Sequence, residues 1–236
     1  KKENQLKYIS LCRYLSNLRN LKINFIKLKS VFNTISKITS IIFHPLLIVT
    51  WMTLLMYYTN SYWFVAIAID FGNINPVVPV FLYTFLFPAI AILMLRKLDF
   101  LDDLEMPDPK QRIIPLIITI VLYIWTFMIF KNKNFPVMLR IFMMGTLASL
   151  FISFVINIFH KLSLHMVGIS GALISMLLLT MVSRTDISYI FLLMIIITGL
   201  VATARLYTKA HTMREVYTGF LVGIFGQMVG LMFIHS

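Results

Sequence analysis

Seven apolar stretches of roughly 20 residues, separated by short charged breaks, constrain what this chain can fold into. A hydrocarbon core of about 30 Å is crossed by a helix of about 20 apolar residues, so each stretch predicts a membrane span. Inside the bilayer, a spanning backbone must satisfy its own hydrogen bonds. We therefore predict an all-α fold, a polytopic transmembrane bundle of about six to seven spans. The stretches lie at residues 41–58, 77–95, 113–130, 137–159, 165–182, 187–204 and 216–234.

The composition excludes a soluble domain and argues against nucleic acid as a partner. Of the 236 residues, 59% are hydrophobic and 13% are charged, which is more apolar surface than one soluble core of this length buries. The net charge of +12 is concentrated at the N-terminus and in the breaks between apolar stretches. This pattern is typical of contact with lipid headgroups. We expect membrane lipids as partners, whereas the single Cys12 excludes a disulfide framework and a cysteine-based zinc site.

Two regions are predicted: a basic amphipathic segment at residues 1–40 and one transmembrane domain at residues 41–236. Residues 21–40 space apolar side chains among lysines, which predicts an amphipathic helix on an anionic leaflet. The alternative for this segment is a disordered basic tail. Residues 61–71 are too few to span the bilayer and are rich in aromatic side chains, so we expect them at the interface. No signal-peptide pattern is visible, and we interpret the N-terminus as uncleaved.

The distribution of lysine and arginine predicts the orientation. Residues 1–40 hold nine of these cations, and eight more follow the second, fourth and sixth predicted spans. Four lie in the breaks on the opposite side, at Lys131, Lys133, Arg140 and Arg184. Because lysine and arginine stay on the cytoplasmic side, we expect the N-terminus and the even-numbered breaks in the cytoplasm, in the inner membrane of a bacterium.

The chain where the fifth predicted span begins holds a cation, a hydroxyl and an imidazole within five residues. These are Lys161, Ser163 and His165. Such a set is suited to binding an anion through its oxygens and to protonating a leaving group. Gly168 and Gly171 follow, and small residues at this spacing let another helix approach closely.

The break before the last predicted span holds Arg205, His211 and Glu215. Residues four apart share one face of a helix, so the Glu215 carboxylate can accept a hydrogen bond from one ring nitrogen of His211. This bond fixes the tautomer and leaves the other nitrogen able to attack. Arg205 can hold phosphate oxygens in a bidentate fork. Two spans separate His165 from His211, so both return to the same membrane face, and together the two breaks predict phosphoryl transfer to histidine.

The two breaks resemble motifs of the type 2 phosphatidic acid phosphatase superfamily, integral-membrane phosphatases that share a helical core with the vanadium haloperoxidases. The family's third motif is Ser-Arg-x5-His-x3-Asp, and here Ala204-Arg205-x5-His211-x3-Glu215 keeps the Arg and the His. The second motif is Pro-Ser-Gly-His, and Leu162-Ser163-Leu164-His165 keeps the Ser and the His. The order of the motifs, with two helices between them, also agrees.

This resemblance implies a metal-independent lipid phosphatase without a cofactor. His211 would be the nucleophile that forms a phosphohistidine, Glu215 would orient it, and His165 would be the general acid. Arg205 and Ser163 would hold the phosphate of a lipid phosphate or diphosphate.

The family's first motif, Lys-x6-Arg-Pro, has no clean match in this chain. The candidates for its phosphate-binding cations are Lys110 and Arg112, which precede Pro115, and Lys161 beside the second motif. The resemblance implies that one or more of these cations complete the phosphate site.

Other functions stay open at this point. The acidic residues Asp99, Asp102, Asp103, Glu105 and Asp108 resemble the Asp-rich loop by which intramembrane aromatic prenyltransferases bind Mg²⁺ and diphosphate. A solvated loop is the alternative for these residues, and a non-catalytic protein that binds lipid phosphates is a third functional class. The basic residues near His211 could also be interfacial cations that extend toward the headgroups.

Metal ligands and the remaining histidines give no further site in the sequence. There is no His-Glu-x-x-His pattern and no cysteine pair, and His211 with Glu215 lacks an obvious third ligand, so we expect no metal site. We expect His44, His160 and His235 to be structural, because their spacing offers no partner.

Overall fold

The computed structural model describes residues 25, 27–70, 74–100 and 108–233, and within these ranges it contains helices and no strand. The predicted all-α fold is thereby confirmed. The α-helices are α1 (Lys27–Ile42), α2 (Pro45–Thr59), α3 (Val65–Asp70), α4 (Val77–Phe81), α5 (Phe87–Lys97), α6 (Ile113–Asn132), α7 (Val137–Phe159), α8 (Leu164–Val182), α9 (Ser188–Tyr207) and α10 (Met213–Met232). Short 3₁₀ turns cover Ser61–Phe64 and Pro109–Arg112, and a π-helical turn covers Leu82–Leu86.

The described residues contain six helices long and apolar enough to cross a membrane. They are Val77–Lys97, Pro109–Asn132 and the helices α7 to α10. The chain is therefore an integral membrane protein with a polytopic helix bundle. The two helices α1 and α2 together would make a seventh span, but they are bent by 68° relative to each other.

The bend contradicts the prediction of one continuous span over residues 41–58. The helix instead breaks at His44, whose backbone is extended, and α2 restarts with Pro45 at its first position. Proline disfavours helical backbone in the residue before it, and its fixed φ suits the first turn of a new helix. As a result α2 has only 15 residues. The described part of the amphipathic helix predicted over residues 21–40 is α1, which extends to Ile42.

Helix α10 packs against α7 and α8 through a stripe of glycines. The stripe consists of Gly219, Gly223, Gly226 and Gly230. A Cβ atom at Gly223 would collide with the Val167 carbonyl oxygen on α8, and one at Gly230 would lie 2.7 Å from the Ile141 carbonyl oxygen on α7. Glycine lets the backbones approach this closely, as in other membrane helix pairs. The spacing of the glycines predicts this packing role.

A π-helical turn interrupts the span between α4 and α5. Pro88 has no N–H group, so the carbonyl oxygen of Thr84, four residues earlier, lacks its usual helical donor. The buried hydroxyl of Tyr123 on α6 donates to that oxygen at 2.9 Å. A buried side chain from a neighbouring span therefore satisfies the backbone where proline removes a donor.

Hydrogen bonds between the breaks show which helix ends lie together. The amide of Asn157, near the end of α7, donates to the Pro109 carbonyl oxygen at 2.7 Å. Lys161, between α7 and α8, donates to the carbonyl oxygen of Ala210, between α9 and α10, at 3.1 Å. We call this the site end of the bundle, since it gathers the breaks that carry the candidate residues.

We predict that Gly223→Ala destabilises the bundle. The new methyl group would meet the Val167 carbonyl oxygen, which is backbone and cannot rotate away. Overpacking of this kind costs about 1–3 kcal/mol. Thermal unfolding in detergent measures the effect, and Gly199→Ala on α9 is the control because its new methyl group would have no neighbouring atom within 4 Å. Equal melting temperatures for the two variants would contradict the account of the glycine stripe.

Candidate functional site

The turn between α9 and α10 positions His211. Helix α9 ends where Lys209 adopts the left-handed backbone conformation, with φ of 54°. The chain then reverses, and the His211 backbone N–H donates to the Arg205 carbonyl oxygen at 3.3 Å. Thr212 caps α10, because its hydroxyl accepts from the Glu215 backbone N–H at 3.4 Å. Backbone hydrogen bonds at the turn thus fix the position of His211 relative to Arg205.

His211 and Glu215 form the closest polar pair of the site. Their atoms Nδ1 and Oε2 are 2.6 Å apart, and the two side chains are 7% and 20% exposed. Burial lowers the pKa of His211 to about 4; its hydrogen bond to Glu215 acts in the opposite direction, and the charges of Lys161 and Arg112 lower it further. The ring is therefore neutral near pH 7. Nδ1–H donates to the carboxylate, and Nε2 keeps its lone pair.

The first turns of α8 and α10 are joined backbone to backbone. The N–H of Ser163 donates to the Glu215 carbonyl oxygen at 3.2 Å. A Cβ at Gly219 would lie 2.5 Å from the Ser163 carbonyl oxygen, so glycine is needed at this approach. The helix start that carries the Ser163-to-His165 cluster is thus held against the helix start that carries His211 and Glu215.

The start of α8 has the properties of an anion site. Ser163 is fully buried, and its hydroxyl has no hydrogen-bond partner among the described residues. No side chain caps the first turn of α8, a helix of 19 residues. The N–H groups of a first helical turn lack intrahelical partners and carry partial positive charge. Such a terminus, beside an unpaired hydroxyl, can receive phosphate oxygens.

Two cations border the same helix start. Arg112, 8% exposed, donates from Nη1 to the Leu162 carbonyl oxygen at 3.2 Å. Lys161 donates to the Ala210 carbonyl oxygen, and both charges act electrostatically on His211. A guanidinium carries five N–H donors and an ammonium three. Lys110, the other first-motif candidate, is exposed, and its backbone N–H bonds to Asp108.

His165 lies beside His44, which its spacing in the sequence did not mark as a site residue. Its Nε2 is 3.1 Å from the Ser40 carbonyl oxygen, at the end of α1. Its ring meets that of His44 edge to face, with centroids 5.6 Å apart. Arg205 interacts electrostatically with both histidines, and His165 also interacts with His211. The structure therefore brings His44 into the cluster across more than a hundred residues of sequence, where no local pattern could indicate it.

Most of the acidic loop falls in a gap of the described ranges. Residues 101–107, which include Asp102, Asp103 and Glu105, lie outside the described residues. Asp99 follows the end of α5, and Asp108 caps the 3₁₀ turn before α6. Within the described ranges, no group of three His, Cys, Asp or Glu side chains could hold a metal ion.

Comparisons of the chain with protein-family profiles, with curated sequences and with solved structures gave no match. The resemblance to the type 2 phosphatidic acid phosphatases therefore rests on the motif residues alone.

We predict that His211 is neutral at pH 6 and carries its proton on Nδ1. An unperturbed imidazole, with a pKa of about 6.5, would be about three-quarters charged at that pH. Burial instead keeps the ring uncharged until the pH falls toward 4. Nitrogen-15 NMR of histidine-labelled protein in detergent measures this, with the His211→Gln spectrum as the control that identifies the signal. A cationic His211 ring at pH 6 would contradict the described environment.

Proposed function

We propose that this chain is a membrane lipid phosphatase that hydrolyses a phosphate from a lipid phosphate or diphosphate through a phosphohistidine. The observation that carries the proposal is the neutral, buried His211, held at Nδ1 by Glu215. It lies beside the uncapped start of α8, bordered by Arg112 and Lys161. A nucleophile, its orienting base and a set of anion-binding groups are thus together at one end of a membrane bundle.

In the first step, Nε2 of His211 attacks phosphorus. The N–P bond forms, the bond from phosphorus to the lipid oxygen breaks, and the electron pair goes to that oxygen. The negative charge of the bound phosphate favours a second proton on His165, and the ring gives this proton to the leaving oxygen. Glu215 stabilises the positive charge that develops on the His211 ring, in the manner of a catalytic carboxylate and histidine pair.

In the second step, water releases the phosphate. His165, now neutral, takes a proton from the water as its oxygen attacks phosphorus, and the N–P bond breaks to regenerate neutral His211. The overall reaction converts lipid phosphate and water into lipid alcohol and phosphate, or lipid diphosphate into monophosphate and phosphate. Throughout, cations and N–H groups hold the phosphate oxygens, whose charge is largest in the transition state. These groups are Arg112, Lys161, Arg205, Lys110, the Ser163 hydroxyl and the first turn of α8.

The position of the site favours a lipid as the substrate. The groups lie in the breaks between spans, so a phosphate there is at headgroup level while an attached tail stays in the bilayer. Phosphatidic acid, phosphatidylglycerophosphate, polyprenyl diphosphate and lipid A phosphate all present a phosphate in this way. The excess of lysine and arginine at the site end supports a cytoplasmic face.

We predict that the purified protein releases phosphate from a lipid phosphate in the presence of EDTA and that His211→Ala abolishes this activity. Loss of the nucleophile lowers kcat by about 10³-fold or more. Glu215→Gln keeps the side-chain size but weakens the orienting hydrogen bond, and we expect kcat to fall by about 10²-fold or more. Phosphate release from a panel of lipid phosphates in detergent measures both.

The matched control is His160→Ala, since His160 is an exposed histidine at the end of α7. It should keep wild-type turnover. Undiminished release by His211→Ala would reject histidine nucleophilic catalysis. If the folded protein binds lipid phosphates but releases no phosphate, it is a lipid-phosphate binding protein and not a phosphatase. If it transfers prenyl groups and requires Mg²⁺, the Asp-rich loop is the functional site instead.

A further inference from the structure

Helix α1 presents three different sides. Six large apolar side chains follow one another at helical spacing and are between 43% and 55% exposed: Leu28, Val31, Phe32, Ile35, Ile38 and Ile42. At 3.6 residues per turn they cover an arc of about 120°, the width of the apolar face of an amphipathic helix. We call these six residues the α1 stripe.

The other two sides of α1 are polar and bundle-facing. Lys27, Asn33, Thr34 and Lys37 are exposed and lie outside the stripe, and exposed Ile41 is an apolar residue on the same side. Ser36 is buried, with 6% exposure, and the Lys29 carbonyl oxygen accepts from the Tyr207 hydroxyl at 3.4 Å. One side of α1 therefore contacts the bundle. Phe32, at the edge of the stripe nearest that side, also packs against the Tyr207 ring on α9, with centroids 5.7 Å apart. The rest of the stripe and the polar side are left for two different surroundings.

The bend before α2 inclines α1 away from a spanning direction. Transmembrane helices tilt by about 20° from the bilayer normal, within a range of about 0–40°. The angle between α1 and α2 is 68°, and α2 packs against α4 and α8 of the bundle. A helix with this inclination, an apolar stripe and flanking lysines matches helices that lie in the membrane interface.

We propose that α1 lies in the plane of the leaflet at the site end and binds anionic phospholipids. The stripe enters the boundary between headgroups and acyl chains, and Lys27, Lys29 and Lys37 attract the anionic headgroups. This binding is independent of the proposed phosphatase reaction. It also sets the depth of the site, because the last turn of α1 touches His165 through the Ser40 carbonyl oxygen.

Single cysteine labels in a Cys12→Ser background test the placement. Leu28→Cys, Ile35→Cys and Ile42→Cys report the stripe, and Asn33→Cys reports the polar side. The labelled full chain is placed in phosphatidylcholine vesicles with and without phosphatidylglycerol. Quenching by lipids that carry a spin label at two depths gives the depth of each fluorophore, and iodide gives its contact with water.

We expect the three stripe labels to be quenched by lipid at one shallow depth, and the Asn33→Cys label to be quenched by iodide. A spanning α1 would instead separate positions 28 and 42 in depth by about 21 Å, at 1.5 Å per residue. That result would overturn the proposal. So would stripe labels shielded from both quenchers, which would place the stripe against protein, such as a second copy of the chain.

A separate variant tests how much the lysine charges of α1 contribute to lipid binding. Phosphatidylglycerol should shift the emission of the Ile35→Cys label toward shorter wavelengths. The shift should disappear when Lys27, Lys29 and Lys37 are all replaced by glutamine. Lys131→Gln is the control, because Lys131 lies at the end of α6, away from the site end. An unchanged shift in the triple variant would reject anionic lipid as the occupant, whatever the protein's catalytic activity.

Discussion

The contact between the first turns of α8 and α10 holds the candidate site together. The Ser163 N–H bonds to the Glu215 carbonyl oxygen, and Gly219 lets the two backbones meet. This approach sets the start of one helix, with its buried hydroxyl, beside the histidine and glutamate of the other. The same glycine stripe continues along α10 against α7 and α8, so the packing that stabilises the bundle also positions the chemistry.

The electrostatics of the site follow from burial. A buried imidazole near cations avoids a positive charge, and this keeps the lone pair of His211 available at neutral pH. Glu215 supplies the nearby acceptor that fixes which nitrogen keeps that lone pair. Arg112 and Lys161 bond to backbone carbonyl oxygens of the neighbouring break, which holds their charges at the site end before any anion binds. A bound phosphate would balance this excess of positive charge.

The sequence predicts the bundle well because span length and charged breaks are local signals. It also predicts that His165 and His211 share a face, since two spans separate them. What it misses depends on packing between distant segments. The contact of His44 with His165 has no local pattern, and neither does the burial of Arg112 beside exposed Lys110. The proline after His44 is a local signal for the helix break, but the apolar run across it favours one continuous span.

Rapid chemical quench followed by mass spectrometry tests the central claim most directly. The protein is mixed with a lipid phosphate, denatured within one turnover at alkaline pH, where phosphohistidine survives, and digested. A phosphohistidine mechanism predicts a phosphoryl group on the peptide that contains His211, absent from the His211→Ala protein. Turnover by a folded protein with no phosphoryl group on this peptide, or with one on another residue, would contradict it.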